Sequence, residues 1–276
     1  VESCVRFDWW RSWEATPEWI EDDGAEKSSA FNMVNRNKRA ITLDLEDPAG
    51  RELLLRLVAS AHAVVENFSG AVLPKLNLSY DVFKQVNDKI ILVSMPAFGS
   101  TGPWANFRAY GSTVEQSSGL PHLNGSAEDL PTMHPVAYGD AVGGLNGAAA
   151  LLVALRHQAR TGLGQFVDVS QVEGLFPLAS HGIMEFSANQ RQPVRTGNRR
   201  EGINPHGVYP CVGDDEWIVI QIFNDPQWQA LRGMAAPYLD EFTDRFAKPE
   251  ALDRSIARWT KEQTAQALMY LSLIHI

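Results

Sequence analysis

Apolar positions in this chain come in short continuous or alternating bursts, separated by stretches at helical spacing. Ala40-Ile-Thr-Leu-Asp-Leu45 predicts a strand, and Asp47-Pro48 opens a helix with the proline tolerated in its first turn. Leu53, Leu54, Leu57 and Val58 share the inward face of that helix. Residues 62–68 predict the next strand, short helices cover 73–86, and residues 89–95 give a third strand. Strand and helix alternating in this rhythm predict an open parallel α/β sheet with right-handed crossovers. Further on, the pattern predicts a helix over 112–118, a strand over 165–170 and a long helix over 172–189 that runs through Pro177.

The most informative stretch is Ala137-Tyr-Gly-Asp140-Ala-Val-Gly143-Gly144. It leads into a helix whose apolar face is Leu145, Ala148, Ala149, Leu151, Leu152 and Leu155. A carboxylate at a helix start feels the positive end of the dipole, which favours its ionised form. Gly143 and Gly144, one turn on, present no side chain to an approaching ligand on the same side. That pattern describes an accessible anionic nucleophile. Aspartate is also a preferred N-cap, and a cap alone accounts for the residue equally simply.

After residue 189 the pattern changes. Residues 190–206 carry Arg191, Arg195, Arg199 and Arg200 among glycines and prolines and read as a linker. Residues 208–212 and 217–222 flank a Gly-Asp-Asp turn and predict a hairpin, followed by helices over 225–234 and 249–271. The predicted organisation is a large α/β domain over 1–189, the linker, and the start of a smaller α+β domain over 207–270. The terminal hexapeptide, 271–276, resembles translated sequencing-adaptor sequence and reads as a non-native tail. With no starting methionine either, the chain reads as a fragment.

Composition narrows the function. The 276 residues are 45% hydrophobic, enough for a large core, and carry a net charge of -9. The acidic balance argues against nucleic acid as partner, so an anionic ligand must be met by a local group of cations. Cys4 and Cys211 form no metal-type spacing and suggest a reduced, cytoplasmic protein. No apolar run is expected to approach the ~20 residues of a membrane span. The first thirty residues hold Trp9, Trp10, Trp13 and Trp19 among acids and predict a loop or short helices.

The motifs of dinucleotide, P-loop, zincin and serine-hydrolase sites are all missing, and the scattered histidines predict no metal site. What is left is Asp140 and a set of cations near strand ends. Lys38, Lys75 and Arg108 fall where a ligand at the sheet edge would pass, and with Asn67 they form a candidate phosphate clamp. Each taken alone also fits a solvated surface charge.

Several segments, in order, resemble the family III CoA-transferases, the group that includes formyl-CoA and carnitine CoA-transferases. They are Asn35-Arg-Asn-Lys38-Arg39 leading to Leu45, Val65-Glu-Asn67-Phe68, and Phe98-Gly-Ser-Thr-Gly-Pro103. Arg108-Ala-Tyr110, Gly139-Asp140 and Arg160-Thr-Gly-Leu-Gly-Gln165 through Ser170 continue the match, which spans most of residues 31–222. The resemblance implies that Asp140 is the catalytic aspartate. It further implies that Lys38, Asn67, Phe68, Lys75, Arg108 and Tyr110 hold coenzyme A, with no metal. The implied fold is a Rossmann-like large domain plus a small domain, in a homodimer of interlocked rings. Chains of the family are longer; the expected missing parts are the first strand and a C-terminal return to the large domain.

The implied chemistry begins with attack of the Asp140 carboxylate on an acyl-CoA thioester, giving an aspartyl-acyl anhydride and CoA thiolate. The thiolate then attacks the aspartyl carbonyl, releasing the donor acid and leaving an aspartyl-CoA thioester. An acceptor carboxylate reverses the sequence. Backbone N–H groups near Gly143 are candidate oxyanion donors. Two positions depart from the formyl-transferring members. Asn204-Pro-His206-Gly207 stands where they carry a polyglycine loop, and Gly111 where they place an acid, which argues against formate or oxalate. His206 is a candidate acyl contact or a plain loop histidine, and the early tryptophans hint at a bulky acyl group. The alternatives are an α-methylacyl-CoA racemase-like isomerase and a non-catalytic CoA-binding protein. The racemase histidine would fall at Tyr110, whose ordinary pKa near ~10 makes it a poor base.

Overall fold

The computed structural model describes every residue except 4–6, 13–15, 127, 137 and 276, and the side chains of residue 20 and residues 272–275 are also left undescribed. Cys4 and Trp13 therefore lie outside the described residues. The chain forms two compact units, Val1–Ser118 with His134–Ser180, and Gly119–Met133 with His181–Ile276.

The first unit opens with a 3-10 turn at Trp9–Ser12 and short helices α1 (Pro17–Glu21), α2 (Gly24–Lys27) and α3 (Ser29–Val34). Arg11 organises this segment. Its guanidinium donates to both carboxylate oxygens of Glu2 at 2.8 and 3.0 Å, to Glu26 and the Ala25 carbonyl at 3.2 Å, and lies over the Phe31 ring.

Helices α4 (Pro48–Val58), α5 (Val72–Lys75) and α6 (Tyr80–Val86) alternate with β1 (Ala63–Glu66) and β2 (Ile91–Ser94). Asp47 caps α4 through the Ala49 N–H, and Pro48 occupies the first turn, as the sequence predicts. β3 (Gln165–Asp168) completes a parallel sheet of order β1-β2-β3. Every residue of the central strand β2 is buried, as a parallel strand covered on both faces must be. Ile90 and Leu92 pack with Val58, Leu78 and Phe83 on one face. Ile91 and Val93 pack with Ala154, Leu151 and Leu155 on the other. That second face is covered by α9 (Tyr138–Thr161), which follows α7 (Gly111–Ser117) and α8 (Leu120–Leu123) in the chain.

Four expectations are corrected. Residues 40–45 are not a strand but carry one isolated bridge, Thr42 to Glu2, because no second strand pairs with them among the described residues. The helix expected over 172–189 is two, α10 (Gln171–Leu175) and α11 (Ser180–Asn189). Pro177 has no N–H and its ring clashes with a preceding carbonyl. α9, 24 residues long, is long and apolar enough by length and composition to cross a membrane, contrary to the reading that no such run exists. It nevertheless packs on β2 and β3 as the cover of the sheet. The predicted helix over 249–271 divides into α13 (Pro249–Thr260) and α14 (Ala265–His275). The break lets the Gln263 carbonyl accept the Val212 N–H at 2.8 Å, and Thr264 caps the new helix through the Ala267 N–H.

The second unit is built on the antiparallel hairpin β4 (His206–Pro210) and β5 (Trp217–Gln221), followed by α12 (Asp225–Met234), α13 and α14. Trp228, Leu231, Leu239, Leu252, Ile256 and Trp259 form its core, each such side chain stabilising by roughly 2–3 kcal/mol on burial. Tyr209 donates its hydroxyl to Asp253 at 2.7 Å, and Arg199 bridges Asp253 and Glu250 at 2.8 and 2.6 Å. Burial, reinforced by Asp253, pushes the Tyr209 phenol far above its ordinary pKa. Arg195, read as part of a linker, instead ties residues 122–129 to its own segment through His122 and the carbonyls of Ser126 and Asp129.

Candidate active site

The site grows from the C-terminal edge of the parallel sheet, where open α/β folds bind ligands. The last residues of the three strands, Glu66, Ser94 and Asp168, are in register with one another. Beyond β1, Asn67 and Phe68 are exposed, and the Phe68 N–H donates back to Glu66 at 2.7 Å. Burial raises the Glu66 pKa; hydrogen bonds from Ser94 and Phe68 oppose the shift, and the Asp168 charge adds to it. Beyond β2, the Ser100 N–H donates to Asp168 at 2.8 Å, and the Ser100 Cα lies against Gly70 of the β1 loop. Phe98 holds Trp104 and Phe107 edge-on at 5.7 and 6.4 Å, directing the chain to Arg108 and Tyr110.

Tyr110 is the N-cap residue of α7 and is 73% exposed. Trp9 meets its ring edge-on at 6.3 Å and itself packs on Trp10 at 5.2 Å, so one of the early tryptophans stands beside a predicted site residue. The next residue, Gly111, lies directly under the Asp140 carboxyl group. A Cβ built there would sit 2.5 Å from Asp140 Cγ and 2.6 and 2.7 Å from its oxygens. Gly139 makes the approach possible from the other side, since a side chain on it would meet the Gly111 carbonyl and Val114. Neither Gly111 nor Gly139 is evident as a packing position from spacing alone.

Asp140 is the third residue of α9, not its cap. No hydrogen bond or ion pair to its carboxylate is present among the described residues, so the simple capping role is not what holds it there. Burial of the carboxyl raises its pKa, although the residue as a whole is exposed. The dipole argument from sequence predicts the opposite direction; desolvation is the larger effect here. The result is a carboxylate with no partner among the described residues and with part of its water removed.

The two glycines after it differ. Gly144 is open, with nothing within 4 Å of a built Cβ, while Gly143 is buried with the Gln171 side chain 3.0 Å from that position. Gln171 in turn donates to the Met95 carbonyl at 2.6 Å, joining the end of β2 to α9. Gly143 is also the sixth helical residue, so helix geometry commits its N–H to the carbonyl of Gly139. The uncommitted donors belong to the first turn. The oxyanion role expected near Gly143 is corrected accordingly.

Thus Asn67, Phe68, Arg108, Tyr110 and Asp140 lie along one line of touching loops and helix starts. Lys75 ends α5, exposed, and Lys38 is exposed with its ammonium donating to Asn35 at 2.9 Å. No hydrogen bond or ion pair among the described residues joins either lysine to that line. Beside Lys38, a cavity of about 520 Å³ is lined by Met33, Val34, Arg36 and Asn37. His206 is satisfied within its own unit, Nδ1 by the Asn198 carbonyl and Nε2 by Gln221 at 3.2 Å. No cluster of three metal-ligating side chains occurs among the described residues.

A parallel α/β unit that places, at a helix start, a carboxylate with no partner among the described residues is compatible with acyl or nucleotide chemistry. The comparison with known proteins narrows this. The family model for CoA-transferase family III matches residues 1–272, and the chain belongs to that family. A succinate–glutarate CoA-transferase of Agrobacterium fabrum is 33% identical over 84% of this chain and 57% of its own length. An acetyl-CoA:oxalate CoA-transferase of Acetobacter aceti is 31% identical over 91% of this chain and 65% of its own. The chain thus spans about three-fifths of the length of these relatives. A crystal structure of a CAIB/BAIF family protein from Brucella suis, 30% identical, covers all of this chain and 74% of its own with a TM-score of 0.80.

Proposed function

We propose that the protein transfers coenzyme A from an acyl-CoA thioester to a carboxylic acid, with Asp140 as the nucleophile. The observation that carries this reading is the Asp140 carboxyl group: desolvated, without a partner, and pressed onto Gly111 at the end of a parallel sheet. Its attack on the thioester carbonyl forms an aspartyl-acyl anhydride and frees the CoA thiolate. The thiolate attacks the aspartyl carbonyl, the donor acid leaves, and the acceptor carboxylate then takes the CoA by the reverse steps. Arg108, Asn67, Lys38 and Lys75 are assigned to the phosphates and Phe68 and Tyr110 to the remainder of CoA, no metal being required. One relative is named for succinate and glutarate, so these longer dicarboxylic acids are the first acceptors to try.

The same reading includes a homodimer in the cytoplasm. Leu145, Leu152 and Val153 of α9 are each about 70% exposed, an apolar face that a second copy would cover. The free thiol of Cys211 fits a reducing compartment.

The test is to incubate the natural full-length protein with an acyl-CoA panel, trap with hydroxylamine, and map the modified peptide by mass spectrometry. An acyl-CoA-dependent hydroxamate on Asp140 supports the transferase. CoA binding with α-proton exchange and no hydroxamate points to an isomerase, and binding with neither signal to a non-catalytic CoA-binding protein.

A further inference from the structure

A second acidic side chain near Asp140 has no part in the chemistry above. Glu115, on α7 one turn after Gly111, is 1% exposed, an expensive place for a carboxylate. Its Oε1 accepts two hydrogen bonds from one residue, the backbone N–H of His134 at 2.9 Å and the ring Nδ1 at 2.7 Å. Its Oε2 is buried with no hydrogen-bond partner among the described residues. The donor in the ring contact is set by the histidine tautomer, whereas the backbone N–H can only donate. His134 lies just ahead of α9, and its ring stacks on Tyr138, the first residue of that helix, at 4.7 Å and 24°. Tyr138 is two residues before Asp140. A buried acidic side chain with one oxygen unsatisfied costs stability, and sites that break local rules in this way are commonly functional.

We infer that the Glu115–His134 pair is a positioning device for Asp140. Glu115 is fixed to the helix whose first residue underlies the nucleophile. His134 is fixed to the start of the helix that carries it. The pair clamps the two starts together, so that the carboxylate stays over Gly111 instead of rotating into solvent. The inference rests on the transferase reading for its rate effect, and on the fold alone for its effect on helix placement.

The experiment compares the full-length wild type with His134→Leu and His134→Asn. Asn keeps a donor near the position of Nδ1 and loses the ring. Two quantities are read: the rate of acyl-CoA-dependent Asp140 labelling with the KM for acyl-CoA, and hydrogen exchange of the peptide holding the Val142–Leu145 amides, whose helical bonds reach back to residues 138–141. His134→Leu is expected to label about 30-fold more slowly at nearly unchanged KM, consistent with a nucleophile misplaced by a fraction of an ångström to an ångström. Exchange in that peptide rises, and His134→Asn restores labelling to within about threefold. Labelling and exchange both at wild-type level in His134→Leu overturn the inference, as does an Asn variant no better than Leu. If wild type itself gives no hydroxamate, the transferase reading fails, and the exchange measurement alone decides the clamp.

Discussion

The carboxyl group of Asp140 occupies the volume that a side chain on Gly111 would fill. If Asp140 is the nucleophile, Gly111→Ala should therefore push it off its seat while leaving the loops beyond β1 and β2 intact. The expected result is a fall in kcat of about 100-fold with KM for acyl-CoA changed little, the cost of roughly 1 Å of misplacement. Steady-state kinetics on an active acyl-CoA donor would show it.

Asp140 itself should trade activity for stability. Asp140→Asn removes the proposed nucleophile, and on that reading turnover should drop by at least about 10³-fold. The folded carboxyl has its pKa raised above the ordinary 3.8 by burial. Its contribution to stability is fully present below that ordinary value and is lost as pH rises through the raised folded value. The Asn variant, which never ionises, should melt above wild type at neutral pH. The gap should close as pH falls towards 3.8, a trend that melting curves across pH would reveal or refute.

The Arg11–Glu2 pair has the opposite sign. The hydrogen bond from Arg11 is the main cause that holds the Glu2 pKa below 4.5. That stabilisation is present above 4.5 and is lost as pH falls through the lowered folded value. Both side chains are largely buried, so Arg11→Met should cost about 3 kcal/mol at neutral pH by stranding Glu2. Denaturant titrations at pH 7 and pH 3 should show the difference shrinking in acid.

Arg108 and Lys38 are exposed and carry no ion pair among the described residues, so their removal should cost little stability. If they hold CoA phosphates, Arg108→Ala and Lys38→Ala should each weaken CoA binding about tenfold, the worth of a charge-assisted hydrogen bond. The loss should shrink at high salt. Calorimetric titration with CoA at two ionic strengths tests both points.

The parallel sheet was readable because β2 is buried on both faces, and that requirement writes itself as an unbroken apolar run, Ile-Ile-Leu-Val. Asp140 was singled out as a candidate from the helix that follows it, and the structure adds its contact with Gly111. The segment at 40–45 was misread because alternation predicts the tendency to extend, whereas a strand also needs a partner, and Glu2 supplies one bridge. The direction of the Asp140 shift was missed for a related reason. The dipole is a property of the local helix, but desolvation comes from α7, distant in sequence, and from the two glycines that let the helices close. Glu115 and His134 are 19 residues apart and join only when α7 and α9 pack. Nothing in the spacing marks them as a pair.

Residues 119–133, held by Arg195 and its neighbours, belong to the second unit although they interrupt the first. On the ribosome this excursion emerges well before residues 181 onward, its eventual neighbours, have been made. The first unit becomes complete only once Ser180 has left the exit tunnel, since the sheet needs β3 and the cover of α9. Neither half can therefore finish as a uniform N-to-C domain during synthesis. The segment just upstream of α9 spends that interval waiting, with the surface that later packs on residues 181 onward unclaimed.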